Sequence, residues 1–131
     1  MKKTNEGKSV KPKSKSYWKA RAWDAFSKFI RTRDQHKCIT CGRTYPEGTH
    51  GGIQAGHFVA GRHNSVLFDE RNCHAQCYGC NVMKKGNTTE YWVFMENRYG
   101  RKVIDELREL DKQVKQMKAV DYEQVYLKYK V

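Results

Sequence analysis

Two Cys-x2-Cys pairs, Cys38/Cys41 and Cys77/Cys80, stand 35 residues apart. Each such turn presents two thiolates to one ion, and tetrahedral zinc needs four soft or borderline ligands. The Cys-Ile-Thr-Cys-Gly form of the first pair predicts a tight turn. Its backbone amides can point at the thiolates, and Gly42 permits the positive φ such turns need. Four cysteines fill the coordination sphere, so this zinc is expected to be structural, with no position open for catalysis. Cys73 is left over and reads as a small packing residue, although a Cys73 ligand would displace one of the four. Redox thiols account poorly for two matched pairs.

A second constellation threads through the same stretch, Ala55–Asn87. His57, Asn72 and Asn81 lie there, with Asn72 and Asn81 bracketing the second cysteine pair. A neutral histidine titrates close to working pH and can take a proton from water. An asparagine oxygen can ligate Mg²⁺, which keeps several waters and tolerates one or two protein ligands. A base, a divalent cation and nearby cationic side chains are what phosphodiester hydrolysis requires. Arg62 and Arg71 flank the stretch and could clamp phosphate, or be solvated surface charges. His36, His50 and His63 read as surface residues.

The composition supports a polyanionic partner. The 131 residues suit one domain, with formal net charge +12 and a sequence pI near 9.6. Residues 1–37 hold twelve Lys/Arg against three acids, and the remainder holds fourteen against eleven. An acidic membrane surface would also attract such a chain. However, no apolar run approaches the roughly 20 residues of a membrane span, and no signal-like segment follows the basic start. The expected location is the cytoplasm, where thiols stay reduced and paired CxxC motifs are more often metal sites than disulfides. The core should be modest, and a metal staple would help it.

These residues need elements to position them. Residues 1–15 alternate Lys with Ser, Pro, Gly and Thr and read as a flexible basic arm. Lys11, Lys13 and Lys15 are its expected phosphate contacts, although a solubilising tail accounts for any single lysine equally well. Trp18, Ala22, Phe26, Phe29 and Ile30 fall at helical spacing. They predict an amphipathic helix over about 17–33, capped by Ser16, whose basic flank, including Arg31 and Arg33, could lie along a nucleic-acid backbone. Residues 53–59 and 65–68 read as two short strands joined by a turn at 61–64. Cys77 to Lys85 reads as a short helix ended by Gly86. Three further helices are expected: one capped by Asn87 or Thr88 and ended at Gly100, one over about 101–118, and a short one capped by Asp121. The organisation is therefore an arm (1–15), a zinc-containing domain (16–100) and a helical extension (101–131). The tail helices could pack on the core or on a second copy as a homodimer.

The spacing His57…Asn72-x4-Cys77-x2-Cys80-Asn81 resembles the HNH, or His-Me finger, nuclease motif in its H-N-N form. That resemblance implies an α+β fold with a zinc-braced ββα-metal core. It implies that His57 is the general base, that Asn72 orients it by hydrogen bonding, and that Asn81 ligates a catalytic Mg²⁺ or Mn²⁺. A closer resemblance covers about residues 20–100. The strings AWDAFSKFIRTRD, CITCG, AGHF, LFDERNCHAQCYGCN and GN are similar to those of the phage NinG/Rap recombination nucleases. It implies a DNA endonuclease acting on branched recombination intermediates such as D-loops and Holliday-type junctions. Many HNH members carry Asp immediately before the first His, as a second metal ligand; this chain has Gly56. His74 and Asp69 are the candidate substitutes. His74 is preferred because it lies between Asn72 and the zinc turn, with a core or supporting histidine as the alternative. A non-catalytic zinc-ribbon DNA-binding protein accounts for the cysteines and charge but not for the HNH spacing. An RNA-binding zinc module accounts for the basic arm alone.

Overall fold

A computed structural model of the chain describes residues 11–131. Its first element, α1 (Lys15–Arg33), begins two residues earlier than the sequence suggests. Ser14, not Ser16, is the N-cap, and its hydroxyl accepts from the Tyr17 amide at 3.1 Å. Ala22, Phe26 and Ile30, at four-residue spacing, are fully buried on the inner face of α1. Most of the expected basic arm, residues 1–10, lies outside the described residues; Lys11 and Lys13 precede α1 and are exposed.

The chain is α+β, with a two-stranded antiparallel sheet of β1 (Ile53–His57) and β2 (Cys73–Cys77). The expected second strand at 65–68 is corrected. Those residues fall in a single helical turn, α2 (Asn64–Leu67), closed by the Val66 and Leu67 amides on the His63 carbonyl. Val66 and Leu67 are adjacent and both fully buried. A half-buried strand would have turned one of them to solvent. The true partner strand, Cys-His-Ala-Gln-Cys, is buried at all five positions, so it lacks the alternation by which strands are recognised.

Both faces of β2 are covered. On one, Cys73 joins Phe26, Ile30, Ala55 and Tyr129 in a core between α1 and the last helix. On the other, His74 meets the aromatic rings of α3 (Thr88–Tyr99). The outer edge of β2 is closed as well. The Ala75 amide donates to Asp34 Oδ2 at 2.8 Å, the Ala75 carbonyl accepts from the Ile39 amide at 2.9 Å, and Arg33 donates to the Cys73 carbonyl at 2.8 Å. A two-stranded sheet is marginal in water, and these contacts supply the partners its edge lacks.

After β2 the chain makes a π-helical turn (Gly79–Met83) that carries Cys80 and Asn81, close to the expected short helix. Next come α3 and α4 (Arg101–Asp111), separated at Gly100, whose φ of 87° favours glycine. Tyr91 and Met95 of α3 pack on Ile104 and Leu107 of α4. The expected helix over 101–118 stops at Asp111, and 112–118 form a strap in which Met117 packs with Ala22 and Tyr122. Here tertiary contact overrides propensity, because Met117 is drawn onto α1 at Ala22. The last helix, α5 (Ala119–Tyr129), starts before the expected cap. Asp121 lies in its first turn and accepts from the Lys118 amide at 2.8 Å. Tyr129 and Val125 of α5 pack against Phe26 and Phe29 of α1, so the C-terminal residues share the core of the sheet. Among the described residues no helix is long and apolar enough to cross a membrane.

Candidate metal centre and adjoining cavity

Cys38 and Cys41 sit in a loop pinned by the Cys38 amide on the Arg43 carbonyl and the Gly42 amide on the Cys38 carbonyl, both at 2.8 Å. Gly42 adopts a φ of 83° there, as its place after the second cysteine requires. Cys77 closes β2 and Cys80 sits one turn later. All four sulfurs lie within 4.8 Å of one another, with Cys41 and Cys77 Sγ 3.8 Å apart. Zinc–sulfur bonds of about 2.3 Å give tetrahedral sulfur–sulfur edges of about 3.8 Å. The donor set therefore fits a zinc ion, and the four cysteines could hold one. Burial raises the Cys38 thiol, but hydrogen bonds from the Thr40 hydroxyl and backbone amides outweigh it and lower its pKa, while burial pushes its neighbours Cys41 and Cys77 up, so the cluster holds its first negative charge at Cys38. Thiolate is the form a metal takes. Asn87, expected as a helix cap, caps α3 only through its backbone. Its side-chain amide instead donates to Cys80 Sγ at 3.5 Å. Cys73 is fully buried away from this cluster among core side chains, its thiol pushed up to about 12 by burial.

Beside the cysteines lies a cavity of about 260 Å³ lined by His57, Arg62, Asn81, Lys85, Thr88 and Tyr91, among others. His57 ends β1. Its ring stacks on Trp23 of α1 at 5.2 Å, and Arg62 lies over the other partner's ring, 4.4 Å from the Trp23 centroid. The Leu67 carbonyl can only accept, so Nε2 of His57 carries the hydrogen and donates to it at 3.1 Å. Nδ1 keeps its lone pair and has no hydrogen-bond partner among the described residues. Burial lowers the His57 pKa, the Leu67 carbonyl partly restores it, and the Arg62 charge lowers it further, so the ring is neutral at pH 7. Asn81 donates through Nδ2 to Gln54 Oε1 at 2.8 Å, and its Oδ1 has no hydrogen-bond partner among the described residues.

The Asn72 side chain makes no hydrogen bond to His57; its bonds go to Val59 and Val66. It is fully buried at the start of β2. Its Oδ1 accepts from the Val59 amide at 2.8 Å, and its Nδ2 donates to the Val59 and Val66 carbonyls at 3.2 and 3.4 Å. It clamps the two ends of the loop that follows His57, next to the Leu67 carbonyl that holds the ring.

The other sequence candidates fall elsewhere. His74 is fully buried and both its ring nitrogens are engaged. The Tyr91 hydroxyl donates to the Gly56 carbonyl at 2.7 Å and so accepts from Nδ1–H at 3.0 Å, while Nε2 accepts from Tyr99 at 2.9 Å. Burial drives its pKa down to about 3, with the Arg33 charge next. No lone pair is left for a metal. Asp69 binds the Arg71 guanidinium, which also reaches Glu106 at 2.9 Å, so neither turns into the cavity. Arg33 pairs with Asp34 at 2.8 Å and closes the sheet edge, and Arg31 pairs with Glu47 at 2.8 Å. Of the arginines named from the sequence, Arg62 alone lines the cavity. Sequence reasoning missed Lys85, which lines it too, and Gln76, whose burial beside Gly56 no periodicity reveals.

No solved structure matches the chain. Several curated phage proteins do. Protein ninG of Escherichia phage 933W is 40% identical over 97 residues, which cover 72% of this chain and 46% of that protein. Over the same shares, protein ninG of Salmonella phage P22 is 39% identical and that of Escherichia phage lambda 38% identical. The chain's match thus spans about half the length of these relatives. The family described as Bacteriophage Lambda NinG protein matches residues 2–131, nearly the whole sequence. With that extent of match, and relatives approaching two-fifths identity, the chain belongs to the NinG family of bacteriophage proteins.

Proposed function

We propose that this protein is a metal-dependent DNA endonuclease of the HNH type, with a structural zinc on Cys38, Cys41, Cys77 and Cys80. The carrying observation is that His57, with Nδ1 free, and Asn81, with Oδ1 free, line one cavity whose remaining polar groups include the cations Arg62 and Lys85. The hairpin β1–β2 followed by the helical turn bearing Asn81 is consistent with that motif's order of elements.

In this reading His57 Nδ1 accepts a proton from the attacking water, while the Leu67 carbonyl holds the ring by its opposite nitrogen. Asn72 holds the loop that carries that carbonyl. Arg62 and Lys85 hold the scissile phosphate by charge. Asn81 Oδ1 would ligate Mg²⁺ or Mn²⁺, which when bound stabilises the phosphate charge and the leaving 3′ oxygen. The net charge of +12 supplies sequence-independent attraction to DNA. Selectivity for branched recombination intermediates rests on the resemblance to the NinG/Rap nucleases alone.

The test is cleavage of junction, nicked and linear DNA by wild type and His57→Ala, with and without Mg²⁺. Wild type should cut only with metal, and His57→Ala should lose cutting while retaining DNA binding and zinc. If His57→Ala cuts as well as wild type, the base assignment is wrong. If neither cuts but both bind, a non-catalytic zinc-ribbon DNA-binding protein becomes the better reading.

A further inference from the structure

Gly56 occupies the position where many HNH nucleases carry a metal-binding carboxylate, and the space beside it is filled. A Cβ placed on Gly56 would meet Gln76 Oε1 at 2.0 Å and Asn81 Oδ1 at 2.9 Å. A side chain at position 56 therefore requires the Gln76 amide to move from where it stands. Gly56, Gln54, His74 and Gln76 lie on one face of the hairpin, since Gln54 pairs with Gln76 and Gly56 with His74.

Gln76 is fully buried, and its Oε1 has no hydrogen-bond partner. Its orientation is fixed from the other end. Nε2 donates to the Gly86 carbonyl at 2.9 Å and to the Thr40 hydroxyl at 3.3 Å. A carbonyl can only accept, so the amide cannot be turned round, and its oxygen must face Gly56. Leaving a buried amide oxygen without a partner destabilises the fold. Such an orphan calls for a function, and here it sits beside a second amide oxygen, Asn81 Oδ1, that is also free. Neutral amide oxygens are ligands for hard divalent cations.

We infer that Gln76 Oε1, together with Asn81 Oδ1, forms the protein part of a divalent-cation site, Gln76 taking from β2 the place a carboxylate at position 56 would take from β1. This rests on the nuclease reading above. It accounts for the pairing of a glycine at 56 with a glutamine at 76, and it leaves His74 to its tyrosines. Two neutral ligands hold a cation less tightly than a set with a carboxylate, because affinity follows the charge of the ligand set.

The test uses full-length, zinc-loaded protein and Mn²⁺ as the probe, followed by the loss of the free-ion paramagnetic resonance signal. Zinc content serves as the control for folding. Gln76→Met keeps the volume and removes the oxygen. It should weaken Mn²⁺ binding about tenfold or more with one zinc retained. Gln76→Glu should tighten binding about tenfold, whereas a glutamine that were only a strut to Gly86 would give no gain. Gly56→Asp/Gln76→Ala should restore binding from the other strand. Should Gln76→Met fail to fold, the glutamate variant decides. Wild-type affinity in Gln76→Glu, or in a folded Gln76→Met, overturns the assignment even if wild type cuts DNA with His57 dependence. If wild type neither binds Mn²⁺ nor cuts DNA, the nuclease reading falls and this site with it.

Discussion

Replacing Asn72 by alanine removes three hydrogen bonds at a fully buried position: from the Val59 amide at 2.8 Å, and to the Val59 and Val66 carbonyls at 3.2 and 3.4 Å. Water cannot easily replace the lost amide at this depth. Each bond is worth about 1 kcal/mol net, and the shorter one more, because its donor is left unpaired. The expected loss is about 3 kcal/mol. For a domain of this size that lowers the melting temperature by about 10 °C. Urea denaturation of the zinc-loaded protein, followed by circular dichroism, measures it. Asn72→Asp is the informative companion. It retains the acceptor for Val59 but sets a carboxylate against two carbonyl oxygens, so at pH 7 it should be no more stable than the alanine variant. Below the denaturation transition, both variants should lose the proposed DNA cleavage beyond what the unfolded fraction explains, because the loop that presents the Leu67 carbonyl to His57 is no longer clamped. A loss under about 1 kcal/mol in Asn72→Ala would refute the clamp, since three intact buried bonds cannot be worth so little together.

Two further outcomes follow from the same geometry. If Cys38, Cys41, Cys77 and Cys80 hold zinc as proposed, a chelator should loosen residues 37–44 and the π-helical turn, read as faster amide exchange there and a lower melting temperature; unchanged exchange would dismiss the structural zinc. His74 is buried neutral, its pKa pushed down to about 3 from an ordinary 6.5, so below 6.5 the unfolded chain binds a proton that the folded chain refuses. Its contribution to stability is complete above pH 6.5 and declines as pH falls toward 3, and His74→Gln should flatten that decline relative to wild type. Equal slopes in urea titrations between pH 6.5 and 4.5 would show that His74 is not held neutral.

Much of the chemistry was legible before any fold was known. The four cysteines that could hold a zinc ion were legible as two matched pairs, because each CxxC turn places its two thiolates locally, and the fold then brings the two pairs together. The buried face of α1 follows from the period of Ala22, Phe26 and Ile30. The order of His57, Asn72 and Asn81 pointed to one neighbourhood, and His57 and Asn81 do share a cavity. What the residue order hid was the strand. Cys73–Cys77 is enclosed by α1 on one side and α3 on the other, so it carries polar His74 and Gln76 inward and loses the alternation of a half-exposed strand.

Charge behaved in the same way. Arg31, Arg33 and Arg71 look in the sequence like Arg62, yet Glu47, Asp34, Asp69 and Glu106 engage them, while Arg62 lies on Trp23 at the cavity. His74 resembles a ligand until tyrosines 17 and 25 residues away take both its nitrogens. The sequence by itself determined which residues can bind metal and where the helical faces lie, since both depend on neighbours within a few positions. Tertiary structure alone decided which polar groups remain free. A group's partner can come from any distance along the chain, and among the described residues His57 Nδ1, Asn81 Oδ1 and Gln76 Oε1 are left without one, which is what the proposed site is built on.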